Sequence, residues 1–315
     1  MPQPARGSAS SNTATWTLDA GPPASRCAWC DAELPSGALS LPGRIVCAEC
    51  GTATTSPVPT DDQLETAYGP WYRPDSGRFG GIGDAVLKRT RATLAGRIDR
   101  IAPAGPVLDV GAGDGTLVRA LLARGRDAVG LERHATGEHM RDDDLDSIGG
   151  TWSAIVFWHS LEHLRQPRAS LARAAELLKP GGVVILALPN SSSMQANAFG
   201  DRWLALDLPR HLVHVPSSTA LRTLEEIGLH PTRVSHLRGG QAAFGWLDGL
   251  VGSLPGHPSL YDAIRSSDAR SQQMSSGRRA ATLAAAAVAF PVALVAAGVE
   301  VARRRGGSLY AEARK

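Results

Sequence analysis

The 315-residue chain carries 33 Lys and Arg against 30 Asp and Glu, a formal net charge of +3, with 43% hydrophobic and only 5% aromatic residues. That length suits one large domain with additions, and so small a net charge gives no electrostatic case for a nucleic-acid partner. Residues 1–20 are polar, rich in Ser, Thr and Pro and without an apolar run, so no secretory signal is expected and 1–24 reads as a disordered leader.

The four cysteines follow as Cys27-Ala-Trp-Cys30 and Cys47-Ala-Glu-Cys50, two CxxC pairs separated by sixteen residues. Each pair can turn two thiolates toward one ion. Four sulfurs then complete a closed tetrahedral Zn²⁺ site, structural rather than catalytic because no coordination position stays open. Without export the thiols stay reduced, which disfavours disulfides, and a redox CxxC would be single and attached to a βαβ unit. Pro42-Gly43 predicts a hairpin over 39–46, and so small a core predicts a zinc ribbon, 25–52, that folds only with metal. Arg26 and Arg44 are its only basic residues, too few for an RNA-binding ribbon.

Residues 53–83 read as a linker and substrate-side segment, with a Pro/Thr-rich start and an aromatic cluster at Tyr68–Tyr72. Beyond it the periodicities predict helices over 84–101, 114–124, 167–179 and 219–227, the third begun by Pro167 and stopped by Lys179-Pro-Gly-Gly182. Between them, apolar runs predict strands at 107–110, 128–131, 154–158, 183–188 and 232–237. Strands alternating with helices imply an α/β fold with a parallel sheet.

The most informative stretch is Val107–Gly115, VLDVGAGDG: an apolar strand interrupted by Asp109, then glycines at 111, 113 and 115. Glycine admits positive φ and lets backbone N–H groups approach a ligand closely. The dinucleotide fingerprint GxGxxG would need its third glycine where Thr116 stands. Glu132, twenty-one residues after Gly111 and at the tip of the next strand, is suited to accepting both hydroxyls of a ribose. Asp143 or Asp144 would meet the adenine end. Only eleven residues separate Glu132 from Asp144, so this edge of the sheet is expected to be shortened.

An acid followed by GxGxG resembles the cofactor loop of class I S-adenosylmethionine (SAM) dependent methyltransferases. The ordered series WHSLEHL, LLKPGG and LPN, from Trp158 to Asn190, resembles the ubiquinone-biosynthesis-like branch. This resemblance covers about Val107–Leu237 and implies a Rossmann-like sheet, mostly parallel with an antiparallel last strand, built from 84–238 plus 306–315. It implies SAM as cofactor, with Asp109, Gly111, Gly113, Glu132, Asp144 and His159 around it. Trp203, Asp207-Leu-Pro-Arg-His211 and His214 resemble a segment of bacterial enzymes associated with surface polysaccharide or lipid synthesis, which implies a small-molecule, glycan or lipid-linked acceptor. Transfer to oxygen needs a base, for which His211 is the first candidate and His159 the second. Arg210 is suited to a phosphate or carboxylate. Glu162 and His163 are expected to tie the loop that follows the strand.

Thr282–Ala302 is apolar except for Glu300 and lies between Arg278-Arg279 and Arg303-Arg304-Arg305. It is long enough to cross a bilayer, yet it is rich in alanine and holds Pro291 at its centre. Residues 307–314 must also return as the last strand. A helical insertion over 239–305 is therefore expected, re-entrant or interfacial at the inner face of the cytoplasmic membrane, with Gln241–Leu254 as a second membrane-facing helix; a true span and burial against the domain or a dimer partner are the alternatives. Competing readings are an RNA base methyltransferase, which lacks its [DN]PP[FY] signature where HSLEHL stands, a sugar-nucleotide C-methyltransferase, and an inactive binding protein of the same fold.

Overall fold

The computed structural model describes residues 16–18, 21–36, 40–69, 79, 81–135, 137–237, 240–270 and 273–315. Most of the expected leader and much of the aromatic and glycine-rich segment after Tyr68 lie outside the described residues.

In chain order, a short strand series β1 (Ser40–Leu41), β2 (Arg44–Val46) and β3 (Ala53–Thr55) precedes helices α1 (Asp61–Ala67) and α2 (Gly81–Ile101). Then follow β4 (Val107–Val110), α3 (Thr116–Leu122), β5 (Ala128–Leu131), β6 (Met140–Arg141), β7 (Trp152–Trp158), α4 (Pro167–Leu177) and β8 (Leu178–Pro189). The remainder comprises α5 (Met194–Phe199), β9 (Val213–His214), α6 (Ser217–Glu226), β10 (His230–Ser235), α7 (Gln241–Gly252), α8 (Leu260–Ile264), α9 (Ser276–Ala302) and β11 (Ser308–Arg314).

Seven strands form one sheet in the order β10-β11-β8-β7-β4-β5-β6, with β11 antiparallel to both neighbours and β4 to β8 parallel. The central strands are apolar on both faces because helices cover both. Leu108, Ile155, Phe157, Val184 and Leu186 pack on one side with residues of α4 and α6, while Val107, Val156 and Ile185 pack on the other with residues of α2 and α3. The expected shortened edge is present: β6 has two residues, and among the described residues no helix separates it from β5. Helix α4 ends at Leu177, two residues before the expected Lys179, because Pro180 disfavours helical geometry at the residue before it and the chain passes straight into β8.

Structure continues across the expected boundary at 52/53. Strand β3 lies in the supposed linker but pairs with β2 on one side and β9 on the other, in a second sheet of order β1-β2-β3-β9. The supposed linker also supplies α1, whose Thr60 and Gln63 form a reciprocal capping box. Cys27, Trp29 and Cys47 belong to the same apolar cluster as Leu108 and Leu224, so the cysteine module has no core of its own.

The insertion leaves and re-enters at one point. A Cβ on Gly306 would press on the backbone of His236, and Asn190 N–H donates to Gly307 O at 3.0 Å. Helix α9 is longer than expected, starting at Ser276, and continues through Pro291 as one helix. Its buried Glu300 accepts hydrogen bonds from Gln195 Nε2 at 2.7 Å and Trp246 Nε1 at 2.8 Å, tying α9 to α5 and α7. Gly245 and Gly249, one turn apart on α7, leave room for Gln195 and Phe199 of α5. The opposite face of α9 carries Val288, Val292, Val295 and Val299, all exposed, with Val288 reaching 82%.

Strand β11 is fixed from within by Glu312, which receives Arg97 of α2 at 2.9 and 2.7 Å and the Tyr310 hydroxyl at 2.7 Å. Burial raises the Glu312 pKa, but Arg97 and Tyr310 more than offset it and hold the acid below the usual range. Replacing Arg97 by Ala leaves this carboxylate buried without its cation. Denaturant unfolding of Arg97→Ala is expected to show a loss of about 3–5 kcal/mol; an unchanged midpoint would remove this pair from the account.

Candidate functional site

The carboxyl ends of the parallel strands converge on two adjoining groups of side chains. The first gathers around the turn from β4 to α3. Gly111, Gly113 and Gly115 all take positive φ, 76°, 65° and 69°, and a Cβ at 111 would run into the Ser160 side chain after β7. The turn is fastened to the tip of β5: the amides of Gly111 and Ala112 donate to Leu131 O at 2.8 and 2.9 Å, and Gly113 N–H donates to Glu132 Oε2 at 2.6 Å.

Asp109 is 3% exposed, and its Oδ1 has no hydrogen-bond partner among the described residues. Burial pushes its pKa up to about 7; the nearby Arg91 opposes this, while Glu132 and Asp114 add to it. Arg91 lies on α2 with its guanidinium 4.7 Å from the Trp158 ring centroid, so a cation stands beside the buried acid. Asp109, Gly111, Gly113 and Glu132 thus come together as expected. Asp144 is exposed on the turn after β6, and the amide of Glu132 donates to Arg141 O in that strand at 3.0 Å.

The second group holds four histidines and a buried acid. His159 takes a left-handed φ of 53°, costly for a residue with a side chain, and its amide is held by Ala187 O at 2.7 Å. Its Nδ1 lies 3.4 Å from Glu162 Oε1, and its side chain is 26% exposed. Glu162 is 2% exposed, and neither oxygen has a hydrogen-bond partner among the described residues. Burial raises its pKa, yet the fields of His159, His211 and His163 prevail and lower it. His211 is 7% exposed, with Nδ1 donating to Ala205 O at 2.9 Å and Nε2 facing Asp207 Oδ2 at 3.7 Å and Glu162 Oε1 at 3.9 Å.

His163 approaches the Tyr68 hydroxyl and Arg210 O through Nδ1, both at 2.9 Å, and burial lowers its pKa to about 4. His214 is lowered to about 3, again chiefly by burial. Arg210 departs from expectation: its guanidinium binds Asp207 and the carbonyl of Ala67, and the residue is buried, so it is an internal brace rather than an open anion site. Ligand atoms of Glu162, His163 and His211 lie within 4.8 Å of one another, a spacing that a divalent cation could bridge.

The four cysteine sulfurs also lie within 4.8 Å of one another, with Cys27–Cys50 and Cys30–Cys47 both at 3.6 Å. Four Zn–S bonds of about 2.3 Å require sulfurs about 3.8 Å apart. The two knuckles repeat one backbone pattern: Asp31 N–H returns to Cys27 O at 2.9 Å with Asp31 at φ 59°, and Gly51 N–H returns to Cys47 O at 3.0 Å with Gly51 at φ 73°.

Residues 84–233 match the family described as methyltransferase domain. Over those residues the chain is similar to a methyltransferase domain. Relatives include ubiquinone biosynthesis O-methyltransferase of Methylococcus capsulatus, 30% identical over 122 residues, covering 33% of this chain and 48% of that protein. Its counterpart in Erwinia tasmaniensis is 26% identical over 156 residues, 39% of this chain and 64% of that protein. The chain thus spans between about half and two thirds of the length of these relatives. Among solved structures, a SAM dependent methyltransferase from Archaeoglobus fulgidus is 14% identical, covering 75% of this chain and 100% of that chain at a TM-score of 0.45.

Within the matched residues 84–233, two features escaped sequence reasoning. Glu162 emerges as the centre of the histidine group, although its EH dipeptide reads as a loop anchor. Arg91 reaches the cofactor side from a helix whose outward spacing gives no sign of it. Of the two candidate bases, His211 has one ring nitrogen spent on the Ala205 carbonyl and the other turned inward, and Nε2 of His159 is buried as well.

Proposed function

We propose that this protein is a SAM-dependent methyltransferase that methylates an oxygen of a small-molecule, glycan or lipid-linked acceptor at the cytoplasmic membrane face. The observation that carries the reading is the glycine turn locked to Glu132 beside the buried, unpartnered Asp109 oxygen. It offers a side-chain-free turn that a ligand can approach closely, a ribose-accepting carboxylate and an acid suited to a cationic amino-acid end. Those residues fit SAM, which when bound supplies a methyl group activated by a sulfonium. That the two relatives are O-methyltransferases supports oxygen as the acceptor atom.

The chain's own work is alignment, exclusion of water and removal of a proton. Asp109, Gly111, Gly113 and Glu132 hold the cofactor, with Asp144 toward its adenine end. His159 is the general base in this reading, since Glu162 lies 3.4 Å from its Nδ1 and stabilises the imidazolium formed when Nε2, itself buried, takes the acceptor proton. His211 faces the same carboxylate and forms the wall behind it. Cys27, Cys30, Cys47 and Cys50 hold a structural Zn²⁺, for which the sulfur spacing speaks. The valine face of α9, with Arg278-Arg279 and Arg303–Arg305 at its two ends, supports contact with an anionic lipid surface.

Calorimetry on the full chain is expected to show SAM binding and no NAD binding, with Asp109→Ala weakening SAM at least about tenfold, or about 1.4 kcal/mol. Free Asp109 holds its proton below about pH 7, and a cationic ligand favours the ionised form. Affinity should therefore rise from pH 6 to 8 with proton release, and Asp109→Asn should flatten that rise. Absence of SAM binding, or indifference to Asp109→Ala, would refute the assignment.

Co-sedimentation with phosphatidylglycerol vesicles tests the membrane contact. The unaltered chain is expected to pellet and Val288→Glu/Val295→Glu to stay in solution, both positions being exposed. Equal partitioning of the two proteins would contradict it.

A further inference from the structure

The cysteine module is joined to the acceptor side by a continuous set of hydrogen bonds. Strand β9 has one neighbour in its sheet, β3, and two residues cannot hold a strand in place unaided. Strand β3 begins three residues after Cys50, and Cys47 N–H is bonded to Thr52 O at 2.9 Å. Its adjacent threonines point to opposite sides. Thr54 Oγ1 accepts from Ala28 N–H, inside the first knuckle, at 3.0 Å. Thr55 serves the histidine segment: its N–H donates to Leu212 O at 3.0 Å, its Oγ1 donates to His211 O at 2.6 Å, and His214 Nε2 lies 3.1 Å from that hydroxyl. Leu212 N–H in turn donates to Glu162 O at 2.8 Å, and the Glu162 carboxylate faces His159.

A second grip confirms that the module is built in rather than appended. Thr219 Oγ1 of α6 donates to Cys50 O at 2.7 Å, and Trp29 Nε1 donates to Thr223 Oγ1 of the same helix at 3.1 Å. Each knuckle is therefore tied to α6, while the strand leaving them is tied to β9.

We propose that the four-cysteine module is the positioning element of the acceptor site, with Thr55 as its positioning residue. Metal held by the four sulfurs fixes β3, β3 fixes residues 211–214, and these fix the Glu162 loop that aims His159. Strands of two and three residues give the knuckles and β3 little order by themselves, so in this proposal the histidine segment takes its geometry from metal occupancy. This rests on the reading that the cysteines hold zinc and that the histidines face the acceptor. The cofactor turn, fastened separately to β5, should not share the dependence.

The test uses the full chain, metal analysis, amide hydrogen exchange and SAM calorimetry, with no acceptor needed. About one zinc per chain is expected, lost in Cys47→Ser. Chelation should speed exchange at 159–163 and 211–214 by about tenfold or more, while 107–115 and 128–132 and the SAM affinity stay as they were. Thr55→Val, which removes both hydroxyl contacts, should retain zinc and reproduce the faster exchange at 211–214, and Thr55→Ser should restore slow exchange. Zinc present but exchange unchanged on chelation and in Thr55→Val would overturn the positioning role alone. A chain that binds no zinc would overturn the metal reading and the positioning role with it.

Discussion

The histidine-rich half of the candidate site is organised by one buried carboxylate. An acid removed from water without hydrogen-bond donors costs several kcal/mol unless positive charge or N–H dipoles surround it. Glu162 meets that cost with imidazoles from two segments far apart in sequence, His159 and His163 beside it and His211 across from it. His163 is kept neutral by its own burial, which leaves His159 as the closest group able to answer the charge. The same constraint explains why Arg210 and Asp207 bind each other: a second uncompensated charge in so small a volume would not be tolerated.

On the cofactor side the logic is different. There the sheet itself supplies the geometry, because Asp109 sits opposite Gly130 and Val156 in strands flanking β4. The glycine turn needs only room and backbone donors, and Ser160 after β7 closes it from the acceptor side by bonding Val110 O. Two halves meet at this serine, one residue after His159. The glycine turn therefore abuts a histidine cluster that hydrogen bonds tie to the neighbouring cysteine module.

Much of this was legible from residue patterns. Long apolar runs and the LKPGG stop located the central strands, and counting residues between Glu132 and Asp144 revealed the shortened edge. Pairing of Val213–His214 with Ala53–Thr55 was not legible, because strands of two and three residues carry no periodicity and their partner lies about 160 positions away. For the same reason 53–83 read as linker. Glu162 and Arg91 escaped because their roles depend on tertiary neighbours, His211 in one case and Asp109 with Trp158 in the other. The apolar C-terminal helix was legible in composition, whereas the side turned outward became visible only once α7 covered the other.

The central claim is that one cleft holds an activated methyl group against the Glu162–His159 pair. A crystal structure of the full chain grown with SAM tests it most directly. The account predicts the ribose on Glu132, the amino-acid end beside Asp109 and the methyl directed toward His159. A cofactor bound elsewhere, or bound there with its methyl turned away from the histidine cluster, would contradict it.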